Sequence, residues 1–226
     1  MPPPRLAIEA AGTHRLPVLR RGPENGRTVI FVQPLFEELN RCRRLFRDIG
    51  AALETRGIAS ALPDLPATGD HEELGPFSLG AAREALKAFA AREETAPLLL
   101  SVRSGVLLAP KGSHHVSIAP IRGGERILAE LIRGHAIGER ERTGKAFART
   151  DAEDAWRKGE TVTLTGYPIT PQSFGDLSAA KPADHRQLDY GGPPVWRQAD
   201  PVATADAAAH VAKQIAAAFA AGDEAQ

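Results

Sequence analysis

The 226-residue sequence predicts an α/β protein built on a doubly wound, mostly parallel sheet, with a small cap inserted late in the chain. Three observations carry this. Short apolar runs rich in Val, Ile and Leu alternate with longer stretches whose apolar residues recur at helical spacing. The runs are apolar on successive residues, as in strands buried on both faces. The order β-α-β-α-β fits right-handed crossovers in one sheet.

The elements follow in order. Residues 5–20 alternate weakly and precede the turn signal Pro23-Glu24-Asn25-Gly26, so they form an edge hairpin or strand. Thr28 to Val32 is β-branched and apolar, hence a central strand. A helix follows from near Arg41, with Asn40 as N-cap and Leu45, Ile49 and Leu53 on one face. Gly57 ends it. Ile58 to Leu62 is the next strand, and Leu79 to about Arg92 the next helix. Pro97 opens a strand over Leu98-Leu99-Leu100, which runs into Ser101-Val102-Arg103-Ser104-Gly105 and then a second apolar run expected to be helical. Later elements are a strand at 115–120, a helix at 124–134, charged helices or a lid at 139–160 and a strand or extended arm at 160–167. A capped helix at 170–177, a strand at 184–190 and an alanine-rich helix at 204–221 complete the chain. The whole reads as one domain, 1–226, with the cap at about 122–180.

The stretch around Arg103 has the form of a nucleophile elbow, small-x-nucleophile-x-small, which makes the expected fold α/β-hydrolase-like. Small residues are required where strand and turn backbones pass closely. Only the frame Ser101 to Gly105 fits, and it places Arg103 at the nucleophile position. Arginine stays protonated and cannot attack a carbonyl. Ser104 would need small residues at 102 and 106, where both are valine. Ser101 would need them at 99 and 103, which are leucine and arginine. Both remain candidate unconventional nucleophiles, with His185 as candidate base because the histidine follows the serine in this fold. His210 falls mid-helix, where a surface role is expected.

Other candidates line the same region. Backbone N–H groups at Leu35-Phe36 and at Ser104 are placed to form an oxyanion site. Arg103 either binds a carboxylate or phosphate, or pairs with Glu37 or Glu38 from the facing loop. Cys42, the single cysteine, sits among Arg41, Arg43 and Arg44, a setting that lowers a thiol pKa, although isolated cysteines are usually small buried residues. Asp64, Asp70, His71, Glu72 and Glu73 form an acidic cluster without ligand spacing, and His114-His115 would point to opposite faces of a strand. No metal or cofactor is therefore expected.

Lys+Arg and Asp+Glu balance at 28 each, which argues against nucleic acid as a partner. No run approaches a membrane span, and no secretory signal is recognisable, so a cytoplasmic location is expected. The remaining partner class is a small anionic or acyl ligand.

Several motifs carry a resemblance. Pro34-Leu35-Phe36-Glu37-Glu38-Leu39-Asn40-Arg41-Cys42-Arg43-Arg44 resembles the P-x-F-x-E-E-M-N-K-x-R-R segment of the exosortase A system-associated hydrolases, second type. Leu62-Pro63-Asp64-Leu65 with Gly69-Asp70 is similar to their L-P-D-L-x-G-x-G-D. The elbow is similar to their G-L-R-L-G, with Ser101 in place of the first glycine. Gly159-Glu160 and Gly166-Tyr167-Pro168-Ile169-Thr170-Pro171 resemble G-E-x-V-x-x-x-G-Y-x-L-S-P, and Pro194-Val195-Trp196 a late P-F-W. The resemblance implies an α/β-hydrolase fold linked to a bacterial exopolysaccharide and protein-sorting system. Two functions then stand: a non-catalytic binding or accessory protein, favoured by the missing serine frame, and an ester or acyl hydrolase using Ser104 or Ser101.

Overall fold

A computed structural model describes residues 3–68, 75–198, 200 and 202–223. Its centre is a seven-stranded sheet in the order β1-β2-β4-β3-β5-β6-β9. β3 (Thr28–Val32), β4 (Ala59–Pro63), β5 (Leu98–Val102), β6 (His115–Ile118) and β9 (Arg186–Leu188) run parallel. β1 (Arg5–Ala11) and β2 (His14–Arg21) form an antiparallel hairpin joined to the sheet through β2 and β4. This is the expected doubly wound, mostly parallel arrangement. The hairpin turns at Gly12, whose φ of 63° suits glycine, while Pro23 to Gly26 lies between β2 and β3.

Every residue of β3 and β5 is buried, as their largely apolar sequences require. Two apolar clusters cover the two faces. One joins Val29, Phe31, Leu100 and Val102 to α1 (Glu37–Glu54) and α6 (Ala205–Asp223) through Leu45, Ile49, Val211 and Ile215. The other joins Ile30, Val32 and Leu99 to α2 (Leu79–Ala90) and α3 (Glu125–Thr143) through Leu86, Phe89, Leu128 and Leu131. Ser78 caps α2 by accepting the Ala81 N–H at 3.2 Å.

Between β6 and β9 the chain contributes no strand to the large sheet. It forms α3, α4 (Arg149–Arg157), the small hairpin β7 (Val162–Leu164) and β8 (Tyr167–Ile169), and α5 (Pro171–Ala179). The helix expected to stop at 134 continues to Thr143, and the strand or arm expected at 160–167 is β7 and the start of β8, a hairpin. Trp156 stacks on Phe174 at 4.1 Å and donates its indole N–H to the Ile169 carbonyl at 2.9 Å, tying α4 to α5 and β8. Thr170 caps α5 through the Ser173 N–H.

Two local expectations are corrected. α1 begins at Glu37, not near Arg41, so Asn40 lies within the helix and is exposed rather than an N-cap. The N-cap position is Phe36, at φ 58° and ψ −137° with no side-chain cap. Glu37 and Glu38 take over the favourable interaction with the helix N-terminus. The segment after the elbow is a single 3₁₀ turn, Arg103–Leu107, rather than an α-helix. Of the acidic cluster, residues 70–73 lie outside the described residues; Asp64 accepts the Gln33 side-chain N–H at 2.8 Å. No group of three or more His, Cys, Asp or Glu suited to a metal occurs among the described residues.

Candidate functional site

β5 delivers Arg103 to the carboxyl end of the sheet at a sharp turn. Arg103 has φ +53°, uncommon for a residue with a side chain, and follows a strand that ends at Val102. Gly105 makes the turn sterically feasible: a Cβ there would sit 2.4 Å from the Val32 carbonyl oxygen and 2.7 Å from that of Gln33. The central strand β3 and the turn are therefore in backbone contact, which is why the sequence needs a small residue at 105.

The turn presents a cation. Arg103 is 8 % exposed. Its Nε donates to Glu38 Oε1 at 2.9 Å, and an Nη reaches Glu130 Oε1 at 3.4 Å. Its guanidinium carbon lies 5.7 Å from the Trp196 ring centroid. Glu38 comes from the first turn of α1 and Glu130 from α3, so the elbow cation links elements on opposite sides of the cleft. Glu130 is also bonded to Arg126 at 2.7 Å, one helical turn earlier. Glu37 pairs instead with Arg41, one helical turn on, at 4.0 Å.

Burial holds the Glu38 carboxyl above its ordinary range; Arg103 pulls the other way without cancelling the shift, and Glu130 adds to it. The Glu38 Oε2 atom is buried and has no hydrogen-bond partner. A buried acceptor left open beside a cavity is a point where a ligand donor gains a full hydrogen bond.

That cavity has a volume of about 710 Å³. Leu35, Phe36, Glu37, Glu38 and Arg103 line it, as do Glu130 and Trp196. Arg41, Arg126, Arg133 and Arg197 complete a cationic rim, giving five arginines against three carboxylates on the wall. Asn40 is not on this wall; it borders a neighbouring cavity of about 530 Å³.

The candidate serines are engaged elsewhere. Ser104 is fully buried, and its Oγ accepts the Leu35 backbone N–H at 2.8 Å. That bond consumes one of the N–H groups expected to form an oxyanion site. Ser104→Ala leaves the Leu35 N–H buried and unpaired. It is expected to lower stability by about 1–3 kcal/mol in denaturant unfolding. Ser101, also fully buried, is 2.8 Å from His115 Nε2 across β5 and β6. The His185 ring packs on His115 with centroids 5.5 Å apart, and its Nδ1 bonds the Ala183 carbonyl at 2.8 Å. Ser101, His115 and His185 are thus brought together, yet none of them lines the 710 Å³ cavity.

Burial, reinforced by neighbouring His185, pushes His115 down to about 4. A depressed basic group contributes stability that is present above its unfolded pKa of 6.5 and lost as pH falls through about 4. Thermal melts should therefore drop between those limits, and less steeply in His115→Gln.

Two further candidates lie off the cavity wall: His210 is exposed within α6, as expected, and Cys42 is buried. Cys42 is fully buried, as isolated cysteines usually are, and burial, with Glu38 adding to it, pushes its thiol up to about 12, against the lowering that its arginine neighbours exert. His210 on α6 bonds Asp189 at 3.1 Å, an exposed Asp–His pair outside the cavity that sequence spacing did not reveal.

A strand running into a left-handed residue, with a glycine pressed on the neighbouring strand, in a parallel sheet carrying an antiparallel hairpin at one edge, decides the architecture. The fold is α/β-hydrolase-like. Among solved structures, it is similar to an epoxide hydrolase from Vigna radiata, at 16% identity and TM-score 0.43, over 59% of this chain and 46% of that one. It is similar to a proline iminopeptidase-related protein from Thermus thermophilus, at 18% identity and TM-score 0.45, over 59% and 50%. An α/β serine hydrolase without lid from Xanthomonas campestris matches at 19% identity and TM-score 0.41, over 52% and 61%. The chain spans about half the length of the first two of these structures. These likenesses concern the fold alone. No family model matches the sequence, and no curated protein does.

Proposed function

We propose that this α/β-hydrolase-like protein is a non-catalytic binding protein whose cleft takes a small anionic ligand. The observation that carries the reading is the ion-paired Arg103 at the position where a hydrolase presents its nucleophile. The bond from the Leu35 N–H to Ser104 Oγ supports it, because both groups would have to be released for acyl chemistry. Carboxylate or phosphate is the favoured ligand chemistry, since the wall carries two more arginines than carboxylates. A hydroxyl or amine on the ligand would donate to Glu38 Oε2. On the motif resemblance, such a protein would serve beside an exopolysaccharide or protein-sorting system, as an accessory. The alternative, ester or acyl hydrolysis by Ser104 or Ser101, needs an Oγ free in the cleft.

The test is calorimetric titration with inorganic phosphate and, separately, with succinate. Saturable binding of at least one anion is expected, weakened about tenfold per lost bidentate contact in Arg133→Ala and Arg197→Ala. Absence of saturable heat with both anions, or binding that both variants leave unchanged, overturns the reading.

A further inference from the structure

We infer that the outer edge of β1 pairs with the same edge of a second copy of this chain, joining two sheets into one across a two-fold axis at Ala7. β1 ends the sheet order and has a strand neighbour on one side only. Its outward backbone groups can be identified. Ile8 lies opposite Pro17, which has no N–H, and the Pro17 carbonyl accepts the Asp64 N–H at 2.8 Å, away from β1. Ile8 and Pro17 are therefore a non-hydrogen-bonded pair, and the Ile8 N–H and C=O face the open edge. By alternation the Leu6 groups do too. The Ala10 carbonyl fits the same phase, since it is reached from outside by Arg92.

The outer side chains are unusual for a free edge. Leu6 is 73% exposed, Ile8 50% and Leu19 37%, and Leu6 and Leu19 are a direct cross-strand pair. Among the described residues these are three of the four exposed large hydrophobics. Soluble edge strands are normally blunted by charge, bulges or proline.

One register satisfies both faces. Antiparallel pairing centred on Ala7 sets Leu6 against Ile8 of the second copy, and Ile8 against its Leu6. Each of these pairs exchanges the outward N–H and C=O groups, and the apolar stripe continues across the junction. On the opposite face the same register sets Arg5, which pairs with Glu24 in its own chain, against Glu9, whose carboxylate already holds Arg20, and Glu9 against Arg5, so groups of opposite charge meet there as well. Centring the axis on Leu6 or on Ile8 loses the charge match. The match is bounded by Pro4, which lacks an N–H, and by Ala10, whose carbonyl already holds Arg92. Such an interface is isologous and closes at two copies.

Sedimentation of the full chain over a concentration series tests this, together with disulfide trapping. A species of twice the 24.1 kDa chain mass is expected. Ile8→Pro removes the outward N–H at a position where an edge strand tolerates proline, and Leu6→Lys charges the seam; both should sediment as monomers with unchanged circular dichroism. Ala7→Cys places two thiols opposite one another in a non-hydrogen-bonded pair, where Cα atoms approach to about 4.5 Å, within disulfide range. Native Cys42 is buried and does not compete. Ala7→Cys should cross-link at least tenfold faster than Thr13→Cys at the hairpin tip. A monomer at all concentrations, a dimer that survives both edge variants, a strand donated by a different protein, or equal cross-linking at 7 and 13 overturns the inference.

Discussion

Replacing Arg103 by alanine is expected to destabilise the protein by about 3 kcal/mol. The cost is less the lost attraction than the carboxylates left behind. Glu38 and Glu130 both face Arg103, and Glu38 is held in a buried setting with one oxygen already unpaired. The sign of the pH dependence follows. Burial raises the Glu38 pKa despite Arg103, so its protonated form favours the fold, and that contribution is lost as pH rises through the raised value. Without Arg103 the value rises further. The deficit of Arg103→Ala relative to wild type should therefore be larger at alkaline than at mildly acidic pH. The double variant Arg103→Ala/Glu38→Ala should recover most of it, and a double-mutant cycle by denaturant unfolding reads the coupling. A loss in the single variant that is independent of pH would contradict this account of Glu38.

Gly105→Ala is expected to cost about 3 kcal/mol, at the upper end for overpacking, because the new methyl meets backbone rather than a movable side chain. Its Cβ would lie 2.4 Å and 2.7 Å from the carbonyl oxygens of Val32 and Gln33, in the central strand and the loop after it. Relief requires β3 and the elbow to separate, which also displaces Leu35 from Ser104. Gly175 on α5 is the contrast: an added Cβ there meets nothing within 4 Å. Gly175→Ala should stabilise by about 0.5–1 kcal/mol through helix propensity alone. Thermal and denaturant unfolding of the pair separates steric contact from backbone freedom.

How much of this was legible follows from the range of each interaction. The strands at 28–32 and 98–102 are visible because burial on both faces demands largely apolar runs. The elbow is visible because Gly105 answers to a local geometric need. The sequence points to the wrong start for α1 because Asn40 is a good capping residue, whereas the actual N-cap, Phe36, makes no side-chain cap bond. The cap position is instead held by aromatic packing of Phe36 on Phe77 and Tyr167, at 5.2 Å and 5.0 Å. Both partners are remote in sequence. Glu38 was legible as a partner of Arg103 because it follows the facing strand directly. Glu130 was not, because its place over the elbow depends on how α3 folds back across the cleft. The Ser101–His115 contact had a usable signal, since both lie on successive parallel strands; what the sequence lacked was the register that pairs Leu99 with His115.

The most direct test of the central claim is exposure of the native chain to a fluorophosphonate probe, followed by intact-mass measurement. A cleft whose elbow presents ion-paired Arg103, with Ser104 bonded to the Leu35 N–H and Ser101 buried against His115, predicts no covalent adduct. Stoichiometric labelling of one serine, abolished by Ser104→Ala or Ser101→Ala, would contradict it.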